Sequence, residues 1–187
     1  MPVNNRPAGT PAATVGSRGV LKALEGQEKH MGELKPGDKV PSFTLKDQEG
    51  KLVKLSDFKG KKLILYFYPK AETSGCTKQA CSVRDSMPDL KEAGIAAVGI
   101  SPDMPEKQKK FDQKHGLGFP LLSDEDHAVA EAYGAWGEKK MYGKSYMGII
   151  RSSFLIDEEG KIIDSWYKVK PEETVPKAKK ALASYAP

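Results

Sequence analysis

The chain has 187 residues, a formal net charge of +5, and hydrophobic and charged fractions of 39% and 29%. This length fits one domain with a short additional segment, and the composition is that of an ordinary globular protein. No apolar run approaches the roughly 20 residues that a membrane helix needs. The lysines are mixed with acidic residues rather than clustered as in nucleic-acid-binding proteins. We therefore expect no membrane insertion and no nucleic-acid partner.

The first 31 residues differ in composition from the rest of the chain. Residues 1–19 are rich in Pro, Gly, Ala and Thr and contain no acidic residue, so they bury too little apolar surface to offset the entropy of ordering. They also lack the continuous apolar stretch of a secretory signal. We expect a flexible extension over residues 1–31, one domain over residues 32–187, and a cytoplasmic location. An organelle transit peptide is the alternative, although only two arginines precede Lys22.

The compact domain opens with a turn and a hairpin. Residues 36–38 (Pro-Gly-Asp) predict the turn. Residues 42–45 and 51–55 flank the sequence Asp-Gln-Glu-Gly and predict an N-terminal β-hairpin. The run 62–68 is almost continuously apolar and ends at Pro69, which indicates a central strand buried on both faces.

Helical and extended patterns then alternate along the chain. We predict, in order, a helix from about 76 to 93, a strand over 95–100, a polar helix over 105–115, a short strand over 120–122 and a short helix over 126–133. A second hairpin over 153–157 and 161–166 precedes an amphipathic helix over 171–185, whose first turn suits Pro171. This order predicts an α/β fold with helices flanking a mixed central sheet.

One stretch between the short helix and the second hairpin lacks a clear periodicity. Residues 134–148 are rich in glycine and carry Trp136, Tyr142, Tyr146 and Met147. We predict a loop there, which either lines a groove for an apolar ligand or packs as an ordinary loop.

The chain has two cysteines, Cys76 and Cys81. A secreted disulfide-stabilised domain would carry more, and a zinc site would need about four ligands at recognisable spacing. The three histidines are far from the cysteines and from each other in sequence: His30, His115 and His127. We therefore expect no metal and no cofactor.

Cys76 is expected in the first turn of a helix that follows a buried strand and a short loop. Unpaired backbone N–H groups and the positive end of the helix dipole favour an anion there, and the thiolate is the nucleophilic form of cysteine. A lone cysteine at such a position is more commonly a small buried apolar residue. The second cysteine, Cys81, favours a functional pair instead, with Cys76 as an accessible thiolate. The hydroxyl of Thr73, three residues earlier, can reach Cys76 or a bound oxygen.

The spacing of the two cysteines restricts how they can react with each other. Five residues apart on an ideal helix, their Cα atoms would be about 8.7 Å apart, whereas a disulfide needs about 7 Å or less. The sulfurs can therefore join only if the first turns of the helix unwind. This arrangement suits a disulfide that forms and breaks during function.

Several segments together resemble the peroxiredoxins. The motif P-x-x-x-T-x-x-C at 69–76 is similar to their active-site motif, and a second cysteine five residues later resembles the peroxiredoxin Q, or bacterioferritin comigratory protein, subfamily. The resemblance runs from about residue 32 to the C-terminus and includes the segments 36–43 and 151–157. It implies a thioredoxin-like fold and a thiol-dependent peroxidase that reduces hydrogen peroxide and organic hydroperoxides.

The resemblance also implies a role for each matching residue. Cys76 would be the peroxidatic cysteine, which attacks the hydroperoxide, and Cys81 the resolving cysteine, which closes a disulfide with it. Pro69 would shield the pocket, Thr73 would hydrogen-bond the peroxide, and Arg151 would support the thiolate and the peroxide oxygens. Thioredoxin or a similar dithiol protein would reduce the disulfide. Proteins of this type are expected to be monomers or weak dimers.

Two residues depart from the subfamily pattern, and one alternative function stays open. Ser74 stands where proline is usual, and Gln79 stands where glutamate is usual; neither removes a group that the chemistry requires.

The alternative is a redox-sensing or holdase protein in which the same disulfide switches a binding surface. Peroxide turnover would distinguish the two functions.

Overall fold

The computed structural model describes residues 32–185. The expected flexible extension, residues 1–31, lies outside the described residues and stays a prediction. In the described part, nine strands, four α-helices and one short 3-10 helix follow one another. They are β1 (Thr44–Lys46), β2 (Leu52–Lys54), the 3-10 helix (Leu55–Phe58), β3 (Lys62–Phe67), α1 (Ser74–Glu92), β4 (Ile95–Ser101), α2 (Pro105–His115), β5 (Leu121–Ser123), α3 (Ala128–Ala132), β6 (Trp136–Met141), β7 (Lys144–Ile149), β8 (Ser152–Ile156), β9 (Ile162–Trp166) and α4 (Thr174–Ser184).

Seven strands form one mixed sheet in the order β2-β1-β5-β4-β3-β8-β9. β3 is parallel to β4, and β4 to β5, whereas β8 runs antiparallel to both β3 and β9. The two parallel pairs need crossover connections, which α1 and α2 provide. Because parallel strands end at the same edge of the sheet, the loops that follow β3 and β4 lie beside each other.

The core lies on both faces of β3. Ile64, Tyr66 and Tyr68 belong to one apolar cluster, with residues of α1, α2 and α4. Leu63, Leu65 and Phe67 belong to a second cluster on the opposite face, with residues of α3 and of the segment before β1. Each large apolar side chain that is fully buried contributes roughly 1.5–3 kcal/mol. The continuous apolar run therefore marks the strand that anchors both layers.

The structure confirms the predicted α/β fold. The mixed central sheet is flanked by helices, and β1 and β2 form the N-terminal hairpin. The turn at residues 36–38 is present, with the amide of Asp38 donating to the carbonyl of Lys35 at 3.0 Å. The second hairpin is formed by β8 and β9.

Residues 134–148 are not the loop that we predicted. Strands β6 and β7 pair antiparallel from Trp136 opposite Ile149 to Met141 opposite Lys144. The two residues at the tip, Tyr142 and Gly143, have φ values of 51° and 75°, as a two-residue hairpin turn requires. Tyrosine is not a usual residue for this conformation, and glycines in both strands weaken the extended pattern. The turn signal was therefore missed.

The last helix also begins later than predicted. Residues 171–173 form a turn, and α4 starts at Thr174 with Glu173 as its N-cap. Pro171 therefore lies before the first turn rather than in it. Pro176 occupies the third helical position instead, where its missing N–H is one that the helix leaves unpaired. In the described residues, no helix has the length and apolar character needed to cross a membrane.

Candidate active site

The loop between β3 and α1 presents Cys76 at the start of the helix. Thr73 is the N-cap, in an extended conformation, and its carbonyl accepts the amide of Thr77 at 2.9 Å. Cys76 is therefore the third residue of α1, in the turn whose amides have no helical acceptor. Gly75 allows this turn to lie close to the guanidinium of Arg151, because a Cβ at position 75 would be only 3.3 Å from Nη2 of Arg151.

The guanidinium of Arg151 is in contact with the thiol. Nη2 of Arg151 lies 3.2 Å from Sγ of Cys76, although the two residues are 75 positions apart in sequence. Arg151 stands between β7 and β8, so the central sheet holds it beneath the start of α1. Because arginine is always charged and carries several donors in one plane, this contact places a positive charge and a hydrogen-bond donor at the sulfur of Cys76.

A buried polar chain fixes the orientation of that guanidinium. Nη1 of Arg151 donates to Oε1 of Gln79 at 2.5 Å, and Nε2 of Gln79 donates to Oγ1 of Thr174 at 2.8 Å. The hydroxyl of Ser153 lies 2.8 Å from the same Oγ1. Gln79, Ser153 and Thr174 are all buried. Among the described residues, no carboxylate forms an ion pair with Arg151.

Cys76 is less accessible than the sequence led us to expect. Its side chain is only 1% exposed and belongs to the apolar cluster beneath α1. The accessibility that we expected for this side chain is therefore wrong. Cys81 is half-buried against the same cluster, and both cysteines are free. Since α1 is continuous through both positions, the helix keeps the two sulfurs apart.

The loop residues Thr73 and Pro69 lie on the outer side of the site. The hydroxyl of Thr73 donates to the carbonyl of Lys70 at 2.9 Å and does not contact the thiol. Thr73 is exposed and Pro69 is half-buried. Neither residue forms a hydrogen bond with Cys76.

Asp103 ties this loop to the neighbouring strand. Its Oδ2 accepts the amide of Ala71 at 2.7 Å and the hydroxyl of Ser101 at 2.8 Å. Its Oδ1 pairs with Lys107 at 2.8 Å. Asp103 follows β4 directly, at the sheet edge where the loops after β3 and β4 meet. This carboxylate therefore holds the loop that precedes Cys76.

Tyr66 places a hydroxyl among the reactive groups. The side chain is completely buried, and its hydroxyl has no hydrogen-bond partner among the described residues. Burial raises the pKa of Tyr66 well above its ordinary value, and the charges of Tyr68 and Cys76 raise it further. The hydroxyl is therefore neutral, and it is a donor that the resting site leaves unused.

The β6–β7 hairpin reaches the edge of the site. Burial lowers the pKa of Lys139, and the positive charge of Arg151 lowers it further. The aromatic residues of this segment, for which the sequence left a groove and ordinary packing open, are divided between two environments. Trp136 stacks on His127 with the ring centroids 3.7 Å apart, whereas the side chain of Tyr142 is 97% exposed at the tip.

Comparison with known proteins identifies the family. Residues 36–165 match the AhpC/TSA family, which is more than half of the chain. Peroxiredoxin Bcp of Escherichia coli strain K12 is 57% identical over 132 residues, which cover 71% of this chain and 85% of the relative. The chain belongs to the AhpC/TSA family of peroxiredoxins. Peroxiredoxin Bcp of Bacillus subtilis strain 168 is 51% identical over 146 residues, which cover 78% of this chain and 93% of the relative.

Solved structures agree with this assignment. Peroxidoxin BcpB from Mycobacterium tuberculosis superimposes with a TM-score of 0.74 at 35% identity, and the match covers 83% of this chain and 100% of that one. The bacterioferritin comigratory protein of Xanthomonas campestris, studied for alkyl peroxide reduction, gives a TM-score of 0.75 at 34% identity, with 80% and 96% covered. The resemblance to the peroxiredoxin Q subfamily is thereby confirmed. As a peroxiredoxin, the protein is a thiol-dependent peroxidase with a thioredoxin-like fold.

Three site residues of this peroxiredoxin were missed or undervalued at the sequence level. Tyr66 looked like one more core aromatic in a buried strand. Gln79 was noted only as a departure from the subfamily pattern. Asp103 could have been found, because a polar residue at the end of a parallel strand commonly faces the loop of its neighbour.

Proposed function

We propose that this peroxiredoxin reduces hydrogen peroxide and organic hydroperoxides through Cys76 as the peroxidatic cysteine and Cys81 as the resolving cysteine. The observation that carries the proposal is the 3.2 Å contact between Nη2 of Arg151 and Sγ of Cys76, in the first turn of α1. A fixed cation and free helical amides at one sulfur are suited to a reacting thiolate.

In the first step, the thiolate of Cys76 attacks one oxygen of the hydroperoxide. An S–O bond forms, the O–O bond breaks, and the second oxygen leaves with the electron pair as hydroxide or alkoxide, which is protonated to water or alcohol. Negative charge moves from sulfur to the leaving oxygen, so donors that already point at this site lower the barrier. Arg151 offers several such donors in one rigid plane.

The outer residues of the loop complete the peroxide pocket in this proposal. The hydroxyl of Thr73 donates to Lys70, and its oxygen keeps lone pairs that can accept the O–H of a hydroperoxide. Pro69 is half-buried beside the exposed Thr73, and we assign it the role of shielding the sulfur from bulk water. Both assignments require the loop before α1 to move enough to admit the substrate.

In the second step, the sulfenic acid on Cys76 condenses with the thiol of Cys81, which gives a disulfide and water. Both residues lie on α1, where five positions correspond to about 8.7 Å between Cα atoms. A disulfide tolerates about 7 Å. The first turns of α1 therefore have to unwind after the peroxide has reacted.

Recycling requires an external dithiol. We propose thioredoxin or a similar dithiol protein, which attacks the disulfide through a mixed-disulfide intermediate and leaves both cysteines reduced. We further propose that the enzyme acts in the cytoplasm as a monomer or weak dimer, since recycling of the disulfide needs a reducing compartment. Residues 32–187 would carry the whole activity.

The test is peroxide consumption coupled to thioredoxin and its reductase. We expect repeated turnover by the unaltered protein, no turnover by Cys76→Ser, and a single turnover by Cys81→Ser unless another thiol resolves the product. If the unaltered protein is oxidised once and never recycled, thioredoxin is not its reductant. If Cys76→Ser still turns over, the assignment of the nucleophile is wrong.

A further inference from the structure

Gln79 occupies a particular position, on α1 between the two cysteines and with no exposed surface. We propose that Gln79 is a positioning residue that controls when the disulfide forms. Its bonds to Arg151 and Thr174 hold the first turns of α1 folded while Cys76 meets the peroxide, and these bonds must break before Cys81 can reach Cys76. The inference rests on the function proposed above, because it concerns the second step of that reaction.

The amide of Gln79 joins three elements of the fold. Its oxygen accepts a hydrogen bond of 2.5 Å from Nη1 of Arg151, the residue just before β8. Its nitrogen donates at 2.8 Å to Thr174, the first residue of α4. Thr174 in turn lies 2.8 Å from the hydroxyl of Ser153 on β8. The turn of helix between the cysteines is therefore fastened to the sheet and to a second helix by one side chain.

Unwinding this turn has a specific energetic consequence. The chain between Cys76 and Cys81 has to leave helical geometry for the sulfurs to meet, and Gln79 lies within that chain. Its side chain then moves away from Arg151 and Thr174. The guanidinium of Arg151 and the hydroxyl of Thr174 each lose one hydrogen-bond partner in a buried position. Losing the partner of a buried polar group costs more than losing an exposed hydrogen bond. The energy of this step therefore includes both bonds of Gln79.

The same guanidinium links the two steps of the reaction. Arg151 donates to Cys76 through Nη2 and to Gln79 through Nη1. While the thiolate is present, its attraction for Arg151 supports the folded turn. Once Cys76 is oxidised to the neutral sulfenic acid, that attraction is lost and the bonds of Gln79 are the principal contacts of the turn with Arg151. The strength of these hydrogen bonds then determines the rate at which Cys81 reaches Cys76 to form the disulfide.

Two substitutions are expected to change this rate in opposite directions. Thr174→Val keeps the shape of the residue but removes the oxygen to which Gln79 donates, so the turn of α1 between the cysteines is held less strongly. Gln79→Glu replaces a neutral acceptor by a carboxylate, and charge-assisted bonds to arginine are roughly twice as strong as neutral ones. The hydroxyl of Thr174 can still donate to that carboxylate when Ser153 donates to Thr174. Gln113→Ala is the control, since it removes the same side chain from an exposed position of α2.

The experiment is rapid mixing of each reduced protein with one equivalent of hydrogen peroxide, followed by acid quenching and mass spectrometry at successive times. We expect disulfide formation to be about five- to tenfold faster in Thr174→Val, the effect of about one buried hydrogen bond. We expect it to be several-fold slower in Gln79→Glu and unchanged in Gln113→Ala. At excess peroxide, Gln79→Glu should give more sulfinic acid on Cys76 than the unaltered protein, and Thr174→Val less.

Unfolded variants would not explain this pattern, because a general loss of stability moves both substitutions in the same direction. Rates within twofold of the unaltered protein for both variants, or shifts of the same sign, would overturn the role of Gln79 while leaving the two cysteine assignments intact. An unaltered protein that forms no Cys76–Cys81 disulfide would remove the proposed function and this inference together.

Discussion

At the scale of single residues, the proposed chemistry depends most on Arg151. It reaches Cys76 with one nitrogen and Gln79 with the other, so its plane is fixed before any substrate binds. When negative charge develops on an oxygen beside a hydrogen-bond donor that is already in place, the surrounding groups do not have to reorganise. This is the physical reason why one arginine can serve both the thiolate and the leaving oxygen.

Replacing Arg151 should therefore slow the attack on peroxide. We expect Arg151→Met to lower the second-order rate constant for hydrogen peroxide by about 100-fold or more, the usual effect of losing one preset donor. Arg151→Lys should restore only part of the rate, because one ammonium cannot bridge Cys76 and Gln79 as the planar guanidinium does. Stopped-flow measurement of the first oxidation gives both constants. A rate for Arg151→Met within tenfold of the unaltered enzyme would contradict this role.

Tyr66 gives a second prediction at this scale, on stability. Its hydroxyl is buried without a partner among the described residues, and such a group costs free energy that a ring without the hydroxyl does not. We expect Tyr66→Phe to raise the free energy of unfolding by about 1 kcal/mol, as measured by urea denaturation. Tyr68→Phe is the matched control, because the hydroxyl of Tyr68 is bonded to Gln108 and its loss should destabilise the protein. Destabilisation by Tyr66→Phe would show that the hydroxyl has a partner.

At the scale of elements, the loop between β3 and α1 depends on β4. The carboxylate of Asp103 accepts the amide of Ala71 at 2.7 Å and the hydroxyl of Ser101 at 2.8 Å. The loop that leads into the helix of Cys76 is therefore bonded to the segment that follows the neighbouring parallel strand. The same edge of the sheet supplies both the reacting residue and its support.

Removing that carboxylate should loosen the loop. We expect Asp103→Ala to reduce the free energy of unfolding by about 1–3 kcal/mol, because the amide of Ala71 is left without an acceptor. The rate of peroxide reduction should fall with it. Asp103→Asn keeps one acceptor oxygen and should lose less on both measures, which thermal denaturation and the coupled assay would show. Equal losses for the two variants would mean that the charge, rather than the acceptor, is what matters.

Elements with a strong local signal were predicted well. The apolar run that ends at Pro69 gave β3, and α2 begins at Pro105 and ends before Gly116 as predicted. The β6–β7 hairpin was missed because its turn contains Tyr142 at positive φ, which no common turn pattern contains. The start of α4 was misplaced by three residues, since Pro171 and Pro176 are both compatible with a first turn.

The site was predictable only where a motif marked it. The resemblance pointed to Arg151, which contacts Cys76, and to Thr73, which does not hydrogen-bond the thiol. The bond between Gln79 and Thr174 joins residues 95 positions apart, and no periodicity in the sequence reports such a contact. The burial of Cys76 was likewise unpredictable, because it depends on how α1 packs against the sheet rather than on any neighbour in sequence.

At the scale of the whole molecule, Cys76 and the buried residues Gln79, Ser153 and Thr174 lie within the described domain. β3, α1 and β8 meet at the site, and the clusters on the two faces of β3 hold these elements together. We therefore expect a chain that begins at Gly32 to fold and to keep the peroxidase activity of the complete protein within about twofold. Thermal denaturation and the thioredoxin-coupled assay would check both. A loss of activity without a loss of stability would assign residues 1–31 a part in the reaction.

The most direct test of the account is the covalent product of a single reaction. The reduced protein is treated with one equivalent of hydrogen peroxide, digested without reduction, and analysed by mass spectrometry. We expect an intramolecular disulfide between Cys76 and Cys81, and a sulfenic acid on Cys76 when Cys81 is replaced by serine. Oxidation that begins on Cys81, or a Cys76 that stays reduced after the peroxide has been consumed, would contradict it.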